Sequence, residues 1–253
     1  MLVLKLPRML YFYKQKSQTG DDSMNYDVFL FDLDDTLLEF DTSEQNAFRN
    51  AFTEAGLVEG LDAYRTEYRA ISKVLWRQLE EGSTTMEQLN VSRFSQLFGK
   101  FGIELDPVSF SETYLTLLGK EAHLIDGVID MLDSLGDVRL AIVTNGFIKA
   151  QIARVACSSL NNRFETIVSS DEAGYQKPRP EIFQEALDRL GVTDKSRVLM
   201  TGDSLTSDIR GGNNFGVDTC WYNPNGLENT TDSKPTFEIS NWVEFKVNEK
   251  ATN

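Results

Sequence analysis

An α/β fold, with a parallel sheet covered by helices on both faces, is what this 253-residue sequence predicts. Three observations carry that expectation. Short apolar runs recur in DVFLFD, VRLAIVT, FETIVSS, RVLMTGD and VDTCWYN, with the little polar alternation that strands buried on both faces show. Segments of helical period separate them, at about 127–135, 148–156, 179–190 and 205–213, which is the rhythm of βαβ units. One interval, about 42–124, breaks the rhythm and carries helical pattern alone.

Taken in order, the first 23 residues are basic and then polar. Lys5, Arg8, Lys14 and Lys16 interrupt their apolar residues, so no run reaches signal-peptide or membrane-span length. A disordered leader is expected over 1–23, or an extension upstream of a start at Met24. The α/β core is expected over 24–41 and 125–253, Rossmann-like, with the all-helical insertion of 42–124 placed after the first strand as a small separate domain. Four helices are expected there. The first, 43–55, opens on a Ser/Thr cap; the second, 61–81, sets Tyr64, Tyr68, Ile71, Leu75 and Leu79 near one face. A Gly-Ser-Thr-Thr break precedes the third, 86–98, and Asp106-Pro107 opens a fourth that runs to 118. The stripe of Tyr64, Tyr68 and Trp76 reads as core packing. FEISNWVEF near the end reads as one short further element.

Composition excludes several functions. A formal net charge of −14 argues against a nucleic-acid backbone or an anionic membrane as partner. An anionic substrate would then need local cations or a metal. Two distant cysteines, Cys157 and Cys220, make no disulfide framework and suit a reducing, cytoplasmic setting. His123 is the single histidine, which leaves no material for His-based metal sites or a Ser-His-Asp triad; it reads as a surface or capping residue.

The chemistry concentrates at strand ends. FDLDDTLL places Asp32, Asp34 and Asp35 directly after the first strand. Residues two apart share a face of a strand, so Asp32 and Asp34 project together while Asp35 turns away. Clustered carboxylates repel unless a cation lies between them, and Mg²⁺ takes one or two carboxylates plus phosphate oxygens and water. Alone, such a D-x-D reads as a solvated turn. It is accompanied, however, by Thr144 and Asn145 after VRLAIVT, by Lys177 in YQKPRPEIF, and by Asp203, Ser204, Ser207 and Asp208 in GDSLTSD. Singly these read as a turn, a helix start and an N-cap; together they converge where open α/β sheets bind ligands.

The ordered set DLDDT, TNG, QKP and GDSLTSD resembles the four motifs of the haloacid dehalogenase (HAD) superfamily, over about 26–242. The insertion resembles that superfamily's helical C1 cap, as in subfamily IA. The stretches LWRQLEEGSTTMEQLNVSRF, TNGF and RVLMTGDSLTSDIRGGNNFGVDTCWYN are similar to YjjG-type pyrimidine 5′-nucleotidases. The resemblance implies a Mg²⁺-dependent phosphomonoester hydrolase working through an aspartyl-phosphate. In that scheme Asp32 is the nucleophile and Asp34 the general acid and base. Asp32, Asp203 and the backbone carbonyl of Asp34 ligate the metal. Lys177 and Thr144 stabilise the transferring group, with Asn145 and Gly146 beside them on the phosphate. Asp208, Ser204 and Thr36 support from behind, and Asp35 has no chemical role. Asp34 also favours phosphate esters, because dehalogenases of the superfamily lack it. A nucleoside base would stack on Trp76, Phe40 or Phe147. The implied partner is a small phosphate ester, not a nucleic acid or a membrane, and the implied assembly is a monomer or homodimer. Three other readings stay open here: a sugar-phosphate phosphatase, a β-phosphoglucomutase-like mutase, and a non-catalytic phosphate-binding protein.

Overall fold

A computed structural model of the chain describes residues 26–245, so the leader expected at 1–23 lies outside the described residues. Five strands form where the apolar runs predict them: β1 (Val28–Phe31), β2 (Arg139–Thr144), β3 (Thr166–Ser169), β4 (Val198–Gly202) and β5 (Asp218–Tyr222). The run near the end supplies β6 (Phe237–Ile239), followed by a turn of 3₁₀ helix at Trp242–Glu244. All pair in parallel, in the order β3-β2-β1-β4-β5-β6. The chain thus builds outward from β1 on one side and then restarts on the other. That reversal puts the carboxyl end of β1 in the crevice where open α/β sheets take their ligands.

Alternation within β1 explains why both faces must be covered. Phe29 and Phe31 join a core with Met131 and Leu132 of α5 (Val128–Ser134). Val28 and Leu30 point the other way, into a core with Ile182, Phe183 and Leu187 of α8 (Pro180–Leu190). With both faces buried, the strand has no polar side to show.

The insertion folds as four helices, α1 (Phe40–Glu54), α2 (Leu61–Glu80), α3 (Met86–Phe101) and α4 (Pro107–Leu118). Its core is its own and strongly aromatic, with Phe48, Phe52, Tyr68, Phe94, Phe98 and Phe110 buried together. Thr85 and Gln88 close a reciprocal capping box at the start of α3. Asp106 accepts the Ser109 N–H at the start of α4, where Pro107 follows. The chain leaves and re-enters the sheet domain side by side, since Leu38 pairs with Leu124 and the Glu39 N–H donates to the His123 carbonyl at 2.8 Å.

Two expectations are corrected. Helix α1 starts at Phe40, not Ser43, because the Asp35 carboxylate reaches forward to accept the Phe40 N–H at 2.9 Å. Ser43 sits buried inside the helix, its hydroxyl donating to the Glu39 carbonyl. The segment expected as one helix at 205–213 is a π-helical turn, Leu205–Ile209, leading into α9 (Arg210–Phe215). There the Asp208 and Ile209 N–H groups share the Ser204 carbonyl, which widens the turn. The remaining helices are α6 (Ile148–Ala156), where the sequence predicts it, and the short α7 (Ser170–Ala173), too brief to show a helical period. Both cysteines are free. His123 pairs with Glu121 at 2.8 Å beside the return crossing. Among the described residues no helix is long and apolar enough to cross a membrane.

Phe94 is fully buried and stacks on Tyr68, with Phe98, Phe110 and Tyr114 around it. Phe94→Ala is expected to destabilise the protein by about 3–5 kcal/mol, read from urea unfolding. A change under about 1 kcal/mol would show that the bundle does not depend on this cluster.

Candidate active site

At the carboxyl end of β1 the Asp32 N–H still pairs with the Thr201 carbonyl of β4, at 2.9 Å. The carboxylate is therefore carried by sheet hydrogen bonding. The chain then tightens: Asp35 adopts φ of 56°, and its N–H donates to the Leu38 carbonyl. Asp tolerates this left-handed conformation better than most residues, and the turn sends Asp35 outward toward α1.

Lys177, preceding α8, is nearly fully buried at 1% exposure. Its ammonium meets Asp32 Oδ1 at 2.5 Å, Asp208 Oδ1 at 2.7 Å and the Val143 carbonyl at 2.7 Å. The first and third contacts are hydrogen bonds, and Asp208 adds an ion pair. Asp208 spends its other oxygen on the Ser204 N–H at 3.0 Å. The close packing of Asp208 requires Gly202, since a Cβ there would overlap the Asp208 carboxyl group. Thr36 links the two strand ends: its hydroxyl accepts the Asp203 N–H at 3.1 Å and lies 3.4–3.5 Å from the Asp203 and Asp32 carboxylates. The indole N–H of Trp221 fixes the Asp203 carbonyl at 2.8 Å.

Carboxylate oxygens of Asp32, Asp203 and Asp208 all lie within 4.8 Å of one another. The crowding shows in their titration. Burial pushes Asp32 up to about 7 against the pull of Lys177, and Asp208 and Asp34 add to the rise. Asp203 is raised well above the usual carboxylate range by burial, then by Asp208 and Asp32. Burial works against the charge on Lys177, yet Asp208 and Asp32 raise its pKa above the usual lysine value. One lysine does not satisfy three acids. An all-oxygen set of this kind fits a hard divalent cation. Asp32 and Asp203 line the cavity, whereas Asp208 lies behind them against Lys177.

Asp34 faces the opposite wall. Its carboxylate accepts from Gln151 Nε2 at 2.8 Å and pairs with Arg154, both on α6. Sequence reasoning singled out neither residue, although their i, i+3 spacing puts them on one helix face. Arg154 is fully buried and also donates to the Glu121 carbonyl and the Gln151 side chain, at 3.0 and 2.9 Å. Gln151 donates to the Thr144 hydroxyl as well, at 2.9 Å, as does the Gly146 N–H at 3.0 Å. The Thr144 oxygen thus accepts twice, and its own hydrogen is free to donate into the cavity. Gly146 is a steric requirement, since a Cβ would strike the Gln151 amide. Asn145 turns its side chain to the Lys177 main chain, accepting its N–H at 2.8 Å and donating to its carbonyl at 3.1 Å. It anchors the lysine loop.

These groups line one cavity of about 340 Å³. Asp32, Thr144, Lys177 and Asp203 form its floor and Asp34 part of its wall, and Trp76 and Arg93 from the helical bundle close it above, with Phe40 and Phe147 at the join. Every position picked out at the four strand-end motifs is therefore brought to one place, except that Asp208 and Thr36 lie behind it.

The comparisons with known proteins agree with this geometry. The family model for haloacid dehalogenase-like hydrolases matches residues 26–216. The chain belongs to that family. This hydrolase is 38% identical to the pyrimidine 5′-nucleotidase PynA of Streptococcus pneumoniae, over 88% of its own length and 94% of the relative's. It is 32% identical to the pyrimidine 5′-nucleotidase YjjG of Escherichia coli, over 88% and 97%. Among solved structures, the magnesium-bound HAD-hydrolase YfnB of Bacillus subtilis superposes with a TM-score of 0.79 at 37% identity, covering 87% of this hydrolase and 96% of that chain.

Without a divalent cation, folded Asp32 holds a proton up to about pH 7, whereas an unfolded aspartate releases it near pH ~4. The folded state then binds more protons, so this group's contribution to stability falls as pH rises through that window. A cation replaces the protons. The Tm gain on adding Mg²⁺ to EDTA-stripped protein is therefore expected to be larger at pH 8 than at pH 6. Equal gains in thermal melts at the two pH values would rule out these carboxylates as the cation's ligands.

Proposed function

We propose that this chain releases inorganic phosphate from pyrimidine nucleoside 5′-monophosphates through an aspartyl-phosphate on Asp32. The observation that carries the reading is the meeting of Asp32, Asp203 and Lys177 on one floor with a second acid, Asp34, two residues from the nucleophile. Similarity to two pyrimidine 5′-nucleotidases runs through the helical bundle as well as the sheet domain, since each alignment covers 88% of the chain. We take the bundle, residues 42–124, to be the cap that selects the leaving group.

In the first step the Asp32 carboxylate attacks phosphorus in line, and the bond from phosphorus to the ester oxygen breaks. Asp34 gives its proton to the departing alkoxide. In the second step Asp34 takes a proton from water, whose oxygen attacks phosphorus and releases Asp32. Lys177 holds Asp32 Oδ1 at 2.5 Å, which fixes the carboxylate and offsets charge gathering at the phosphoryl group. The Thr144 hydroxyl donates to a phosphoryl oxygen. Gln151 and Arg154 keep Asp34 at the cavity wall. Asp32, Asp203 and the Asp34 carbonyl would hold Mg²⁺, which when bound neutralises charge on phosphate oxygens. The bundle excludes water from the first step.

A phosphate-release assay with Mg²⁺ on UMP, dUMP, dTMP and sugar phosphates tests the substrate class. Pyrimidine nucleotides are expected to show the highest kcat/KM; equal turnover of sugar phosphates would overturn the nucleotidase reading. Asp32→Asn is expected to lower phosphate release by roughly three orders of magnitude or more. Release that persists in the purified variant would refute the covalent mechanism.

A further inference from the structure

One cation of the cavity has no part in the chemistry above. Arg93, on α3, lines the same cavity as Asp32 yet belongs to the bundle. It is 3% exposed, and among the described residues no carboxylate pairs with it. Its charge is met by aromatic faces, with the guanidinium carbon 4.9 Å from the Tyr114 ring centre, 5.2 Å from Phe94 and 5.3 Å from Phe147. Three neutral acceptors hold it: the Asn90 carbonyl on Nε, the Tyr68 hydroxyl on Nη1 and the Asn90 side chain on Nη2. A guanidinium has five N–H groups, so each Nη keeps one beyond these bonds. Burying an arginine in an aromatic cage, with donors to spare beside a cavity, is a costly arrangement unless something in the cavity accepts them.

The acceptor's chemistry follows from the surroundings. The cage already compensates the positive charge, and Glu80 lines the same cavity, so a second anionic group on the substrate is disfavoured. Trp76 and Phe147 line the cavity as well and meet each other edge-to-face, their centres 6.4 Å apart, which gives it an apolar aromatic wall. A flat, uncharged group bearing an acceptor-only oxygen matches both features.

We propose that Arg93 is the specificity-determining residue that donates to a ring carbonyl oxygen of the pyrimidine, holding the base against Trp76 and Phe147 while the phosphate sits on the floor. This rests on the nucleotidase reading and adds the group by which the base is recognised. A sugar phosphate has no ring carbonyl, so Arg93 contributes to its turnover only through the shape of the cavity.

The test compares kcat/KM for UMP and for 2-deoxyribose 5-phosphate in the wild type and in Arg93→Gln and Arg93→Lys. Expected is a loss of roughly 10- to 100-fold for UMP in Arg93→Gln, carried mainly by KM, with the sugar phosphate changed less than about 2-fold. Arg93→Lys, which keeps a donor, is expected to fall between. Equal losses on both substrates, or none on either, would overturn the proposal. If the variants do not fold, wild-type enzyme with 2-thio-UMP and 4-thio-UMP decides. A lowered kcat/KM for one of them supports the carbonyl contact, and two values equal to that of UMP overturn it. Failure of the nucleotidase reading shows separately, as a wild type that prefers the sugar phosphate before any variant is made.

Discussion

The structure turns on the Lys177 ammonium. It is buried beneath the sheet's carboxyl edge, and its three acceptors come from β2, the end of β1 and the turn after β4. Taking such a charge out of water costs several kcal/mol, offset here by two hydrogen bonds and two carboxylate partners. Those contacts tie together three strand ends and the start of α8. Asp208 is held in turn by Ser204, Asp203 by Thr36 and Trp221, and Lys177's own backbone by Asn145. Asn145, Ser204, Asp208 and Thr36 thus brace the lysine and its acid partners.

That brace leaves a controlled imbalance. Lys177 compensates part of the charge of Asp32, Asp203 and Asp208, and burial raises what remains. Crowded, buried carboxylates of this kind favour protonation or a bound cation. Asp34 is kept out of this cluster although it stands only two residues away. Arg154 and Gln151 draw it to the other wall, so two acids of one short motif face different partners. Arg154 also lies within 3.5 Å of the Ser43 hydroxyl in the bundle and bonds the Glu121 carbonyl on the return crossing. The second acid is therefore anchored where sheet domain and bundle meet.

Much of this was legible beforehand, for identifiable reasons. Strands buried on both faces write themselves as unbroken apolar runs, so β1 to β5 could be placed within a residue or two. The bundle was equally plain, because helices that share a core must repeat apolar residues at helical spacing. Boundaries set by distant groups were not. The start of α1 depends on the Asp35 carboxylate, and the π-helical turn depends on the shared Ser204 carbonyl. Gln151, Arg154 and Arg93 escaped notice because a polar residue inside an amphipathic helix looks like any solvated position until its face is known.

By itself, the sequence determined the fold class and the helical insertion, and it marked Asp32, Asp34, Thr144, Lys177 and Asp203 as candidates, since local periodicity and strand-end motifs are properties of adjacent residues. Only the tertiary structure decided what each of them touches. Asn145 and Lys177 are 32 positions apart, Asp34 and Arg154 are 120, and Thr36 and Asp203 are 167. Hydrogen bonds and buried charge pairs are set by ångström distances, and across such separations those distances exist only once the strands have paired and the bundle has closed over them.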